Sequence, residues 1–140
     1  MSVVHEVPLN LHTESNGTLV VFEEGSIPFP LCRTFVVAAG IGQTRGNHAH
    51  KTCSQLLVAL RGEVLVSVED GNGSKEFLLS ELKQGLLIPP MTWAKQKYLC
   101  ENTVLMVLCD QLFDELDYIR DYAEFNQVLQ ARQSGSGALD

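Results

Sequence analysis

Short β-patterned runs, each closed by a turn signal, recur along most of this chain and leave few folds open to it. Residues 18–23, 32–38, 54–61, 63–69, 76–79, 86–88, 94–98 and 103–110 are the candidate strands. Val64, Val66 and Val68 alternate with Leu65, Ser67 and Glu69, the period of a strand packed on one face. Arg61-Gly62 and Asp70-Gly71-Asn72-Gly73 supply residues that tolerate the positive φ of hairpin turns. Pro89-Pro90 cannot donate ladder hydrogen bonds and belongs at a rim or corner. Many short strands with such punctuation predict an all-β fold, a sandwich or a barrel of jelly-roll type.

The pattern changes after Asp114. Leu116, Ile119, Tyr122 or Ala123, Phe125 or Asn126, and Leu129 recur at helical spacing and predict one amphipathic C-terminal helix over 114–132. A chain of 140 residues with 45% hydrophobic content buries a core of its own without a disulfide or metal staple. Residues 1–132 read as a single domain, and 133–140, with Ser134-Gly135-Ser136-Gly137, as a flexible tail. A net charge of −7 and a pI near 5.0 argue against nucleic acid or an anionic membrane as partner. They leave room for a phosphate-bearing small molecule beside a local cluster such as Lys95 and Lys97. Cys32, Cys53, Cys100 and Cys109 form no C-x-x-C pair, residues 1–10 lack a secretory pattern, and no apolar run nears the ~18 residues of a membrane span. Reduced thiols in a cytoplasmic protein are expected.

Residues 42–62 read Gly42-x5-His48-Ala49-His50-x4-Gln55-x6-Gly62, which resembles the ligand motif of metal-binding cupins with its glutamate replaced by Gln55. A neutral amide is a poor partner for a cation, and residues 85–93 hold no third histidine. On a strand, His48 and His50 point to one face with Cα atoms ~6.7 Å apart. Imidazole titrates at ~6.5, so one ring can accept a proton near neutral pH while the other donates. Metal-free acid–base work is the first reading of the pair, and no metal or cofactor is expected. A metal site completed by water and a carboxylate, or two histidines in purely structural hydrogen bonds, are the rivals. Gln55 would orient an imidazole or bind a sugar hydroxyl.

The run Arg45-Gly46-Asn47-His48-Ala49-His50-Lys51 is followed by Gln55, by Ile88-Pro89-Pro90 with Trp93 and Gln96, and by Asp117-Tyr118-Ile119-Arg120-Asp121-Tyr122 with Phe125. In this order the words resemble the cupin-fold sugar 3,4-ketoisomerases, which act on dTDP-4-keto-6-deoxyglucose, over roughly residues 18–128. The resemblance implies a jelly-roll barrel with one C-terminal helix. It also implies cofactor-independent movement of a carbonyl from carbon 4 to carbon 3 through an enediol, with His48 and His50 as the catalytic pair and His48 favoured as base. It implies a nucleotide-sugar substrate and a homodimer. Arg33, Arg45, Lys51, Gln55, Trp93, Gln96 and Tyr98 are the candidate substrate contacts, with the arginines on phosphate or enediolate charge and the aromatic rings stacking on thymine or sugar. Two positions depart from the family pattern: residues 34–39 hold no tyrosine, and Ala94 stands where a histidine is frequent. A sugar-nucleotide epimerase, a metal-dependent cupin and a non-catalytic sugar-nucleotide binder are the alternatives.

Overall fold

The computed structural model describes residues 3–139, with side chains to residue 134. Twelve strands run in the order β1 His5–Val7, β2 Asn10–Glu14, β3 Gly17–Val21, β4 Arg33–Ala39, β5 Thr44–His50, β6 Gln55–Arg61, β7 Glu63–Asp70, β8 Gly73–Ser80, β9 Gly85–Ile88, β10 Trp93–Tyr98, β11 Thr103–Cys109 and β12 Tyr118–Ile119. They build two facing antiparallel sheets, β1-β9-β6-β11-β4 and β12-β5-β10-β7-β8, and a separate β2-β3 hairpin. The helix α1, Tyr122–Leu139, ends the described chain. This is the jelly-roll arrangement the turn-punctuated runs predict. No helix among the described residues is long and apolar enough to cross a membrane.

The core lies between the sheets, where alternate residues of each strand meet. Leu57, Ala59, Val64, Val66, Leu79, Leu86, Tyr98 and Leu105 are all at most 1% exposed there. Each buried aliphatic side chain of that kind contributes about 1.5–3 kcal/mol. β6 is buried on both faces, because Phe22, Ile27, Phe29 and Leu31 cover the outward-pointing Leu56, Val58 and Leu60. Gly62, at φ 76°, turns the chain from one sheet to the other; a Cβ there would meet Thr103 Oγ1 at 2.8 Å.

The C-terminal segment differs from its reading as a helix over 114–132. Asp114 caps only a short 3-10 turn, Glu115–Asp117, and Tyr118–Ile119 pairs with His50 and Ala49 of β5. The apparent helical spacing there is coincidental: Leu116 is 82% exposed, whereas Ile119 is fully buried. The true helix begins one step after Asp121, whose side chain accepts from Ala123 N at 3.0 Å. From there Phe125, Val128 and Leu129 pack with Ala49, Met91, Trp93 and Ile119 on the outer side of β5. The tail expected from residue 133 continues the helix to Leu139, and residue 140 lies outside the described residues.

Candidate active site

β5 carries the histidines, and a bulge decides which way they face. Along the β5–β10 ladder, Arg45 pairs with Gln96 and His48 with Ala94, so Gly46 and Asn47 together oppose the single residue Lys95. Both bulge residues take the left-handed region, Gly46 at φ 89° and Asn47 at φ 58°. A regular strand would send Arg45 and His48 to opposite faces. The extra residue instead puts Arg45, His48 and His50 on the face shared by Ala94, Gln96 and Tyr98, toward the barrel interior. The imidazoles stand 5.1 Å apart, edge to face, and Tyr118 covers both at 5.0 and 4.3 Å between ring centres.

Asp117 fixes His50. Its Oδ2 lies 3.1 Å from His50 Nδ1 and accepts from Cys53 N at 3.2 Å. Its Oδ1 accepts from Thr52 N at 2.8 Å and Thr52 Oγ1 at 2.7 Å. Burial pulls the carboxyl up, but these four donors outweigh it and hold Asp117 below its ordinary value. An ionised carboxylate only accepts, so His50 Nδ1 carries the proton and Nε2 is left with its lone pair. His50 Nε2 and His48 Nδ1 are both buried and have no partner among the described residues. Desolvation pushes both rings below free imidazole, His50 against the upward pull of Asp117 and His48, with the His50 charge adding to it, down to about 4. The site therefore holds two neutral imidazoles at neutral pH, each presenting an unused ring nitrogen.

His50, Cys53 and Asp117 bring a ring nitrogen, a thiol and a carboxylate oxygen within 4.8 Å of one another. The donor set fits a hydrogen-bond network better than a ligand shell. Both Asp117 oxygens are taken by the four donors, His50 Nδ1 holds a proton, and the Cys53 thiol is pushed up by its hydrogen bond to Cys109 and by burial.

The other candidate residues separate into groups. Arg33 pairs with Cys109, which pairs with Gln55, so all three face the interior from the opposing sheet at the histidine end. The Arg33 guanidinium sits 4.7 Å over Phe35 and 5.1 Å from Phe113, held by rings on two sides. Gln55 Nε2 donates weakly to Cys109 Sγ at 3.6 Å. A narrow cleft lined by Arg33, His50, Cys53, Phe113, Asp117 and Tyr118 opens at this end. Lys51 stands just past β5, its backbone N–H on Asp117 O at 2.9 Å. Tyr98 is fully buried deeper in the barrel, with its hydroxyl unpartnered. Trp93 lies on the opposite face of β10, against Tyr122 and Phe125 at 5.3 and 5.6 Å, and so apart from the histidines. A cavity of about 590 Å³ lies on that outer face between Asn47, Glu69, Glu76, Trp93, Lys95 and Tyr122. Its open, charged lining holds no histidine, whereas His48 and His50 face the interior.

Sequence reasoning missed Asp117 and Tyr118 as site residues. Both lie in the Asp117-Tyr118-Ile119-Arg120-Asp121-Tyr122 word, and the signal was present, but the reading of 114–132 as one helix did not bring them to the histidines. Pairing with β5 turns them to His48 and His50 instead.

Comparison with known proteins agrees with this geometry. The family model FdtA, described as WxcM-like, C-terminal, matches residues 3–130. The TDP-4-oxo-6-deoxy-alpha-D-glucose-3,4-oxoisomerase of Aneurinibacillus thermoaerophilus is 37% identical over 118 residues, 83% of this chain and 85% of that protein. Among solved structures, a sugar 3,4-ketoisomerase from Thermoanaerobacterium thermosaccharolyticum in complex with TDP superposes with a TM-score of 0.87 at 30% identity, covering 92% of this chain and 96% of that one. A 3,4-ketoisomerase from Helicobacter canadensis gives 0.86 at 27% identity, with 91% and 97% covered. The chain belongs to the FdtA (WxcM-like, C-terminal) family, the cupin-fold sugar 3,4-ketoisomerases.

Proposed function

We propose that this protein moves the carbonyl of a TDP-linked 4-keto-6-deoxyhexose from carbon 4 to carbon 3. The observation that carries the mechanism is His50: its Nδ1 is tied to an ionised Asp117, and its free Nε2 shares an interior wall with the free Nδ1 of His48. Nε2 of His50 takes the proton from carbon 3, whose acidity comes from the adjacent ketone. The electron pair flows to the carbonyl oxygen and an enediol forms. His48, neutral and 5.1 Å away, moves a proton between the two oxygens, and His50, whose ring lines the cleft and exchanges its proton with solvent, delivers a proton to carbon 4. This reverses the expectation that His48 is the base, because Asp117 orients and stabilises only the His50 imidazolium. Substrate and product have the same oxidation level overall, so side-chain proton transfer suffices.

Arg33 and Arg45 supply positive charge for pyrophosphate or enediolate oxygens, with Gln55, Gln96 and Lys51 as further hydrogen-bonding groups. TDP as carrier is supported by the TDP complex of the Thermoanaerobacterium thermosaccharolyticum relative. We infer a homodimer as well. Among the described residues, β4 ends its sheet with an unpaired edge and Val36 55% exposed, while every residue of β2 is exposed in a hairpin attached to neither main sheet. Such surfaces suit a second copy better than water. Four free cysteines are in keeping with a reducing cytoplasm. The test is incubation with TDP-4-keto-6-deoxyglucose followed by NMR. A carbonyl at carbon 3 supports the proposal; a retained carbon-4 ketone beside an inverted centre would make the protein an epimerase, and no turnover would contradict catalysis on this substrate.

A further inference from the structure

Two of the four cysteines lie together at the histidine end of the barrel, and the carbonyl shift uses neither. Cys109 closes β11 as the Cα partner of Gln55, and Cys53 stands two residues before Gln55, so both point inward. They share one core cluster at 6% and 1% exposure, as diagonal neighbours on one face of the paired backbone. The intervening backbones are pinned, Asp110 N to Ser54 O at 3.2 Å and Ser54 N to Asp110 Oδ1 at 2.9 Å. The two thiols are not equivalent. Cys109 is drawn down by its bond from Cys53, then by Gln55 and Arg33, against burial, while Cys53 is pushed up. Cys53 also walls the narrow cleft that holds Arg33, His50 and Asp117.

We propose that Cys53 and Cys109 form an oxidation site, a thiol pair that a hydroperoxide converts to a disulfide beside His50. The Cys109 thiolate attacks the peroxide O–O bond, which breaks to release hydroxide and leaves a sulfenic acid. Cys53 sulfur then attacks Cys109 sulfur; the S–S bond forms, and the sulfenic hydroxyl leaves with the Cys53 proton as water. Two thiols are oxidised and one hydrogen peroxide is reduced to two waters. Closing the bond pulls on Cys53, whose backbone N–H donates to the same Asp117 oxygen that holds His50. Oxidation thereby loosens the orientation of His50.

Treating the full chain with hydrogen peroxide, then measuring intact mass and tryptic peptides, tests the site without reference to any substrate. The expected result is loss of two hydrogens and a linked pair of peptides spanning 52–61 and 98–120, kept in Cys100→Ser and lost in both Cys109→Ser and the milder Cys53→Ala. Turnover of the oxidised protein falls by roughly 10–10²-fold and returns with dithiothreitol. An unchanged mass, or linkage through the exposed Cys32 or through Cys100, overturns the site. A disulfide that leaves turnover undiminished overturns its coupling to His50.

Discussion

Replacing Asp117 with asparagine removes one negative charge and almost no volume, and should disable His50 while leaving the barrel standing. Four donors converge on the two carboxylate oxygens: His50 Nδ1 and Cys53 N on one, Thr52 N and Thr52 Oγ1 on the other. An asparagine amide has one accepting oxygen and one donating NH2. Set toward Thr52, the NH2 meets a backbone N–H and a hydroxyl at 2.8 and 2.7 Å from the atom it replaces. Set toward His50, it forces Nδ1 to become the acceptor and moves the ring proton to Nε2. Nε2 is the nitrogen that faces the cavity, so either orientation removes or weakens the base. Losing a positioned base costs about 10²–10⁴-fold in kcat, or roughly 3–5 kcal/mol of barrier.

Stability should fall less, by about 1.5–3 kcal/mol for one charge-assisted buried hydrogen bond. NMR initial rates together with thermal melting of Asp117→Asn separate the two effects. The double variant with His50→Asn should be scarcely slower than His50→Asn alone, since the carboxylate acts through the imidazole. A folded Asp117→Asn protein with the parent's kcat would refute the orienting role.

Other outcomes follow from the same geometry. The unfolded histidines titrate near ~6.5, whereas folded His48 is held at about 4 and His50 also below its ordinary value. Between those values the unfolded chain binds more protons, so stability is lost as pH falls from about 6.5 toward 4; melting curves of the parent should show a steeper loss than those of His48→Asn, and parallel curves would contradict the depressed value. The kcat profile should keep its acid limb below the free-imidazole value, and a limb above it would mean that the rings are not desolvated. Gly46→Ala places a Cβ 2.7 Å from Gln96 Oε1 and 3.1 Å from Ala94 O at a φ of +89°. The left-handed conformation alone costs about 1–2 kcal/mol there, so both melting temperature and kcat should drop, and no change would mean that the bulge does not set the histidine register. Trp93→Ala should cost roughly 3 kcal/mol of stability with KM for the nucleotide sugar intact; a raised KM would put Trp93 in the substrate site.

The parts of this fold legible in the sequence are those whose side chains alternate. β6, β7, β10 and β11 announce themselves because each buries at least one regular face, and the turn glycines mark the corners between them. β5 does not: Thr44-Arg45-Gly46-Asn47-His48-Ala49-His50 is polar and bulged, and only the resemblance placed its histidines inward. β12 is two residues long, too short to carry a period, and its pairing with β5 depends on a contact 67 residues away in sequence. That long-range pairing overrode the helical spacing at Leu116 and Ile119. Asp117 was passed over for the same reason, since an aspartate between a leucine and a tyrosine looks solvated until its four donors are seen. Trp93 shows the converse. Adjacent in sequence to the inward Ala94, it points outward because neighbours on a strand alternate.

The most direct measurement of the central claim is the fate of hydrogen during turnover of TDP-4-keto-6-deoxyglucose in heavy water, read by NMR at carbons 3 and 4. The account expects solvent deuterium at carbon 4 of the 3-keto product from the parent protein. It expects none from a folded His50→Asn variant that still binds TDP. Deuterium entering at the parent rate without His50 would contradict the assignment of that imidazole as the base.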